Sequence, residues 1–451
     1  MNTIDNKLIN GNVNIELIKL VLPMIFANLL NVAYNIVDTI WIGQIVGSSG
    51  LGAIAVSFPI ILILISIASG LTTASNILVA RYYGANDIKQ VVYVSKISSN
   101  ISFIISIVVS VIAYITAPAL MKFLNTADSI LEYSISYFRI SMIGFPLIFF
   151  YFLISSLLRG IGDTVRPLVF LAISSIINVI LDPIMIKGLF GFPRMGLDGA
   201  AYATLISQAI AIVVSFVYLK IKKTILVINP FYFIFDFKVI NLLIKIGLPI
   251  ATTQLIVSFS WLILNRLINQ YGEIASAAIA ICVRIDSLTY LPLLALSAGI
   301  ATMTSQNIGA GKIERIKDIY KSGLQISIII SILMALIAVI FPEYIIKMFT
   351  LDQRVVDVAK VYMYIVMPSF IFLSIMFTAC GIINGAGNTI APMIFTFIAN
   401  ILVRIPAAYI LSPKIGLIGI WISMSLGYFT VMILSFLYYH SNRWKRGINL
   451  S

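Results

Sequence analysis

Long apolar runs, separated by short turns that are polar or contain Gly or Pro, dominate this sequence from end to end. A transmembrane helix needs ~20 apolar residues at a rise of 1.5 Å each, and every run is long enough. Because lipid admits only helices or closed barrels, runs of this length are predicted to be helical. The pattern therefore predicts an all-α polytopic membrane protein with twelve transmembrane helices. The runs lie near residues 17–43, 51–80, 92–117, 131–158, 165–187, 196–220, 239–269, 276–307, 319–341, 356–383, 391–411 and 416–439.

The second half of the chain repeats the first. Residues 18–23 (IKLVLP) resemble residues 244–249 (IKIGLP), at an offset of 226. Residues 159–167 (RGIGDTVRP) resemble residues 384–392 (NGAGNTIAP), at an offset of 225. Because each half has an even number of spans, both halves have the same orientation, as in transporters whose parallel repeats are related by an axis along the membrane normal. A transport site is then expected near mid-membrane, between or within the two bundles.

This repeat divides the chain into an N-terminal six-helix lobe at residues 1–220, a cytoplasmic linker at 221–238 and a C-terminal six-helix lobe at 239–451. Lys and Arg give the orientation. Nineteen of them fall in segments that are cytoplasmic if the N-terminus is inside, and seven fall in the opposite segments. Since cytoplasmic loops carry the excess of Lys and Arg, both termini are predicted to be cytoplasmic.

Composition narrows the function classes. Of the 451 residues, 60% are hydrophobic and only 10% are charged, less than half the charged share of a soluble protein. One His and two Cys cannot build a zinc site, a haem site or a disulfide framework, so no cofactor is expected. The net charge of +13 is explained by cytoplasmic Lys and Arg, so no nucleic-acid partner is expected. No P-loop, H-E-x-x-H or G-x-S-x-G motif occurs, and we expect the protein not to be an enzyme.

The first run carries a carboxylate, Asp38, near its far end. Asn31 and Tyr34 precede Asp38 by seven and four residues, which places the three side chains on one face of a helix. An ionisable group inside a membrane span is costly and is by default a candidate functional site. The alternative is that Asp38 reaches the headgroups and is simply hydrated. Pro23 lies in the first turns of the same run.

The second intramembrane acid of the N-terminal half is Asp182, which follows Asn178 by four residues on the same helix face. Two nearby carboxyls titrate as a pair, which suits reversible proton loading or a small-cation site, with Na⁺ as the candidate metal at Asp38 and Asp182. The neutral ligands would then be Asn31, Asn178 and Thr204. The alternative is structural, with Asp182 capping the kink at Pro183 or pairing with an Arg of the C-terminal half.

The C-terminal half carries Arg266 and Arg404 near the positions equivalent to the two acids. Arg284 and Asp286 are two residues apart, so they do not face each other on a helix, and each is expected to pair elsewhere in a structural role.

A short motif raises a remote alternative from another class. Residues 160–163 spell G-x-G-D, which resembles the second motif of intramembrane aspartyl proteases. Those enzymes need the Asp inside a helix, whereas here the motif lies between Arg159 and Arg166. We expect a tight cytoplasmic turn, in which Gly supplies a positive φ.

These features together resemble the multidrug and toxic compound extrusion (MATE) transporters. The resemblance covers nearly the whole chain and rests on LPMIFANLLNVAYNIVDTIWIG, the RYYGAND and QNIGAGK loops, the RGIGDT and NGAGNT turns and NVILDP. It implies two six-helix lobes in a V-shaped bundle, in the inner membrane of a prokaryote. It also implies a secondary-active antiporter that exports small-molecule drugs, namely organic cations and amphiphiles, in exchange for H⁺ or Na⁺. We expect a monomer in the lipid bilayer.

The resemblance is to the DNA-damage-inducible-type branch, whose cation site lies in the N-terminal lobe. Matching residues are the acids Asp38 and Asp182, the polar neighbours Asn178, Tyr34 and Thr204, and Pro23 at the bend of the first helix. The sodium-linked branch has acids in its seventh and tenth helices, and no acid occurs here around Val257 or Ile371. The alternative within the superfamily is a lipid-linked oligosaccharide flippase, which has a basic central cavity that Arg266 and Arg404 could form.

Overall fold

The computed structural model describes residues 7–222, 224–226 and 234–447. Within this part, twelve helices are long and apolar enough to cross a membrane, which confirms the predicted all-α polytopic class. Residues 223 and 227–233 of the predicted linker, and both chain ends, lie outside the described residues. The helices are α1 Val13–Ile45, α2 Ser48–Gly84, α3 Ile88–Phe123, α4 Asp128–Gly160, α5 Val165–Lys187, α6 Leu197–Ile221, α7 Phe237–Asn269, α8 Glu273–Gly309, α9 Arg315–Ile340, α10 Gln353–Gly385, α11 Ile390–Ile415 and α12 Leu417–His440.

Two of the spans change helix type along their length. A 3-10 turn interrupts α10 at Met367–Ser369, and a π-helical segment interrupts α11 at Ile398–Arg404. Pro368 lies within the first change and Pro406 lies two residues after the second, and the missing N–H of a proline cannot bond to the carbonyl one turn earlier. Short helices at Lys7–Asn10, Pro342–Lys347 and Arg443–Gly447 flank or connect the spans.

Contacts divide the chain into two compact units. The N unit consists of Leu22–Tyr83 and Asp87–Leu248, and the C unit consists of Pro249–Ser451 with Met1–Val21 and Gly84–Asn86. The sequence places the boundary between lobes in the linker 221–238, whereas the contacts divide the chain inside α1 and α7. The first part of α1 therefore belongs to the C unit, and the first part of α7 belongs to the N unit.

Close helix crossings explain this exchange. A Cβ added to Gly299 of α8 would lie 2.5 Å from Cγ2 of Val21, so α1 packs tightly on α8 within the C unit. Within the N unit, a Cβ added to Gly247 of α7 would lie 2.9 Å from the carbonyl oxygen of Gly70 in α2. Small residues allow helix backbones to approach this closely in a membrane protein. Val21 and Gly247 are 226 residues apart, so equivalent positions of the two repeats make the two crossings.

The repeated Gly-rich turns have the same backbone conformation. Gly162 and Gly387 have φ values of 91° and 92°, the left-handed region that favours glycine, as the sequence predicts. Just before each turn, a Cβ on Gly160 would lie 3.2 Å from a carbonyl oxygen of α2, and a Cβ on Gly385 would lie 2.5 Å from a carbonyl oxygen of α8. The repeat seen in the sequence is thus also a repeat of helix packing.

Candidate functional site

Three helices of the N unit carry five of the predicted site residues. Tyr34 and Asp38 lie on α1, Asn178 and Asp182 on α5, and Thr204 on α6. Asn178 and Asp182 are 1% and 0% exposed, whereas the other three are half-buried. The spacing of four residues within α1 and within α5 places each pair on one helix face.

Thr204 connects α1 to α5. Its hydroxyl oxygen lies 3.3 Å from the hydroxyl oxygen of Tyr34, and it accepts a hydrogen bond from Nδ2 of Asn178 at 3.2 Å. Because the amide nitrogen of Asn178 is used in this bond, Oδ1 remains as an acceptor. This oxygen is buried and has no hydrogen-bond partner among the described residues.

Three of the four carboxyl oxygens of the site are buried and lack a donor in the described structure. Within the described part of the chain, Oδ1 of Asp38 and both oxygens of Asp182 are buried without a hydrogen-bond partner. The two carboxyl groups interact electrostatically with each other. The ion pairs found among the described residues involve neither acid. Two carboxylates repel each other in a low-dielectric setting, so a shared cation would stabilise this arrangement.

The oxygen atoms of the site fit either of the two predicted coupling ions, H⁺ or Na⁺. Asp38, Asp182 and Asn178 together contribute four buried oxygen atoms that have no donor among the described residues. Carboxylate and amide oxygens are the ligands that hard metal cations prefer, which suits Na⁺. A pair of carboxyls is equally suited to share a proton.

Asn31 makes a separate contact. It is exposed, and Nδ2 of Asn35 donates to its Oδ1 at 2.9 Å and to its carbonyl oxygen at 2.6 Å. In the described structure, no hydrogen bond joins Asn31 to the other predicted site residues. Seven residues of helix separate Asn31 from Asp38, which is ~10 Å along the axis. The role of Asn31 as an ion ligand stays a prediction.

Tyr137 of α4 is a site residue that the sequence does not indicate. It interacts electrostatically with both Asp38 and Asp182. Its ring packs against a buried cluster drawn from α1, α2, α5 and α6, formed by Ile42, Ala53, Ile186, Leu197 and Ala200. Tyr137 is one of 21 Tyr residues, and no acid or amide at helical spacing distinguishes it from the others.

A family model matches this chain twice. The MatE model matches residues 23–184 and again residues 249–410. Both matches begin at a proline, Pro23 or Pro249, and together they span more than half of the chain. The chain belongs to the MatE family. The first MatE match contains both acids of the site and Asn178.

Several proteins are similar to this MatE chain over most of their length. It is 27% identical over 429 residues to the probable multidrug resistance protein YoeA of Bacillus subtilis, covering 94% of this chain and 92% of that protein. It is 27% identical over 439 residues to the probable multidrug resistance protein NorM of Thermotoga maritima, covering 96% and 93%. It is 27% identical over 400 residues to the multidrug export protein MepA of Staphylococcus haemolyticus, covering 88% and 87%.

Solved structures share the fold. A crystal structure of MATE in the bent conformation matches with a TM-score of 0.91 at 24% identity, covering 98% of both chains. The outward-facing conformation of a multidrug resistance MATE family transporter of the MOP superfamily matches with a TM-score of 0.88, at the same identity and coverage. This MatE chain therefore has the fold of those proteins.

The G-x-G-D motif lies where the MatE chain turns. Asp163 is outside α4 and α5, and its Oδ1 accepts a hydrogen bond from the backbone N–H of Arg166 at 3.2 Å. The same carboxylate lies 3.4 Å from the Arg166 guanidinium. An intramembrane aspartyl protease needs this Asp inside a helix, so the turn geometry gives the protease alternative no support.

Proposed function

We propose that this chain is a secondary-active multidrug efflux antiporter, which exports organic cations and amphiphilic drugs in exchange for H⁺ or Na⁺. The observation that carries the proposal is the pair of carboxyls of the half-buried Asp38 and the buried Asp182, which have no ion-pair partner among the described residues. The similar proteins named for multidrug resistance or multidrug export support the class of substrate. As a transporter of this kind, the chain is not an enzyme.

The carboxyl pair acts as the coupling element in this proposal. When H⁺ or Na⁺ is bound, the charge of the pair is reduced and both groups can stay buried. After the cation leaves, repulsion between the carboxylates favours a conformation in which water reaches them. Thr204 ties α1 to α5, so occupancy of the site acts on α1, and Pro23 supplies a hinge in that helix. An ion or drug shifts the equilibrium between these two conformations only if it binds one of them more tightly than the other.

The available gradients are large enough for this work. One pH unit is worth ~1.4 kcal/mol per proton, and ~100 mV adds ~2.3 kcal/mol per charge moved. One pH unit can therefore concentrate a drug about tenfold for each proton exchanged, and the membrane potential adds to this when the exchange moves net charge.

The same proposal includes the setting of the protein. We place it as a monomer in the inner membrane of a bacterium, with both termini in the cytoplasm. The twelve apolar spans and the asymmetry of Lys and Arg between the two sets of loops support this orientation.

A lipid-linked oligosaccharide flippase of the same superfamily is the second candidate. One observation favours it, because Arg404 is 1% exposed and thus places a positive charge inside the C unit. Arg266, by contrast, is exposed.

Transport by the purified protein in liposomes tests the proposed function. A pH gradient and a Na⁺ gradient are imposed in separate experiments, with ethidium as a fluorescent organic cation. The antiporter should move ethidium against the ethidium concentration gradient when either the pH gradient or the Na⁺ gradient is imposed. Protein-free liposomes serve as the control. If neither gradient moves ethidium while a lipid-linked sugar crosses the bilayer, the flippase replaces the antiporter.

A further inference from the structure

The C unit contains a cavity of about 400 Å³ that the coupling site does not use. All of its lining residues belong to α7, α8, α10, α11 and α12. The walls are mainly apolar and aromatic, with contributions from Trp261, Tyr290, Phe377 and Tyr428. Its volume is in the range of small-molecule sites, which combine apolar walls with a few placed polar groups.

Arg404 is the first of these polar groups. It is 1% exposed and lines the cavity at the end of the π-helical segment of α11. Its Nη1 donates to Oδ1 of Asn400 at 3.3 Å. Its Nε and Nη2 have no hydrogen-bond partner among the described residues. These two atoms form one edge of the guanidinium, the edge that binds both oxygens of a carboxylate at once.

The surroundings of Arg404 fix the position of this edge. The guanidinium carbon lies 5.0 Å from the ring centre of Trp261 and 5.7 Å from that of Tyr428. Its aliphatic stem packs against Gly427 of α12, where an added Cβ would lie 3.2 Å from Cβ of Arg404. Aromatic rings hold a guanidinium by cation–π contact, but they offer no acceptor to its N–H groups.

Asp286 of α8 is the second polar group. It is 7% exposed and lines the same cavity. Its Oδ2 accepts a short hydrogen bond from the hydroxyl of Tyr362, whereas Oδ1 has no partner in the described part of the chain. Asp286 thus pairs with a residue other than Arg284, and it keeps one oxygen unused.

Arg404 and Asp286 interact electrostatically, but no salt bridge joins them in the described structure. The cavity therefore has one positive and one negative group, each with unused hydrogen-bonding atoms. Buried polar atoms without partners are costly, and a ligand that supplies both partners removes that cost.

We propose that this cavity binds amphiphilic zwitterions that have an aromatic body, a carboxylate and an ammonium. The carboxylate bonds to Nε and Nη2 of Arg404, the ammonium donates to Oδ1 of Asp286, and the aromatic body packs among the rings of the walls. The site is separate from the Asp38–Asp182 pair, and its ligand class goes beyond the organic cations of the proposed function.

A matched series of fluorescent ligands tests this assignment on the purified wild-type protein in nanodiscs. The zwitterion is Nε-dansyl-lysine, its methyl ester is a cation, and its Nα-acetyl derivative is an anion. Dansyl emission reports binding, and empty nanodiscs give the background. We expect the zwitterion to bind ~30-fold or more tightly than either derivative, because each derivative leaves one buried charge unpaired.

Variants assign the two charges to the two ends of the ligand. Arg404→Gln should remove the preference for the zwitterion over its ester, and Asp286→Asn should remove the preference for the zwitterion over its acetyl derivative. Arg404→Lys keeps the positive charge but cannot make the two parallel hydrogen bonds of Nε and Nη2. This variant should lose most of its affinity for the carboxylate of the ligand. Arg284→Gln, an exposed position on α8, is the matched control and should bind like wild type.

Loss of one buried charge could unfold the C unit, so the charge-neutral double variant Arg404→Gln with Asp286→Asn is included, and size-exclusion profiles report folding. Equal affinity for the three ligands in the wild type, or tighter binding of the ester, would overturn the proposal. So would an unchanged ligand preference in a folded Arg404→Gln protein. Binding is measured without any ion gradient. A failure of the zwitterion-binding proposal is therefore distinguishable from a failure of the antiport proposal.

Discussion

At the scale of single residues, one uncharged side chain, Thr204, connects residues of the proposed cation site. The hydroxyl of Thr204 meets Tyr34 of α1 and Asn178 of α5, and the second bond leaves Oδ1 of Asn178 as an acceptor. The orientation of the Asn178 amide oxygen therefore depends on a residue that carries no charge.

Replacing Thr204 with Val keeps the shape of the side chain and removes its hydroxyl. Each hydrogen bond lost costs ~0.5–1.5 kcal/mol, so we expect the ion concentration that gives half-maximal efflux to rise about tenfold. Ion titrations of ethidium transport in liposomes measure this change. Thr204→Ser keeps the hydroxyl and should remain near wild type. An unchanged ion dependence in Thr204→Val would show that Thr204 does not orient the site.

Sequence spacing predicts only part of this site. Asn178 and Asp182 could be paired from the sequence because residues four apart share a helix face. The contact between Tyr34 and Thr204 spans 170 residues, and helical periodicity carries no information about it. Tyr137 and the cavity lined by Arg404 and Asp286 were not predicted for the same reason, since the residues that meet there come from different helices.

At the scale of elements, α1 is the helix that belongs to both units. The division falls between Val21 and Leu22, directly before Pro23. Pro23 cannot donate to the carbonyl of Lys19 one turn earlier, so α1 lacks one hydrogen bond at the unit boundary. The part of α1 after Pro23 carries Tyr34 and Asp38. A bend at Pro23 would therefore move the site residues of α1 relative to α5.

Spin labels at Ile36 of α1 and Ile176 of α5, both exposed, measure this motion within the N unit. If α1 bends at Pro23, the distribution of distances between the two labels should change when the coupling ion is added or removed. Pro23→Ala should narrow this distribution toward a single distance. Asp38→Asn should make the distribution independent of the ion. One unchanged distribution in all these samples would mean that Pro23 is a static kink.

Helix positions were largely predictable, and interruptions within helices were not. Hydropathy places α5 at 165–187 with the bounds that the structure has, because membrane thickness sets the length of an apolar run. The π-helical segment Ile398–Arg404 has a signal in Pro406, but a proline alone does not specify whether a helix kinks, tightens or widens.

At the scale of the whole molecule, two repeats build two units that exchange their first half-helices. The repeat itself was visible in IKLVLP and IKIGLP and in the paired Gly-rich turns. The exchange was not visible, because it depends on contacts such as Val21 with Gly299, which are far apart in the sequence. Local patterns therefore predict the twelve helices, whereas the division into units needs the tertiary structure.

Cysteine labelling tests the orientation of the molecule. Single Cys residues replacing Ser48 and Lys414 should react with an impermeant thiol reagent from outside, and those replacing Ala85 and Glu314 only from inside. All four positions are exposed, and the native Cys282 and Cys380 are buried, which keeps the background low. The opposite labelling pattern would refute the orientation derived from Lys and Arg.

The most direct test of the central claim compares gradient-driven transport with gradient-free exchange in the same liposomes. Asp38→Asn and Asp182→Asn should lose ethidium movement driven by the H⁺ or Na⁺ gradient and should retain ethidium exchange without a gradient. Asp128→Asn, an exposed acid of the same half, should behave like wild type in both assays. Gradient-driven transport at wild-type rates in both Asp38→Asn and Asp182→Asn would contradict the account, because the carboxyl pair would then not couple ion movement to drug export.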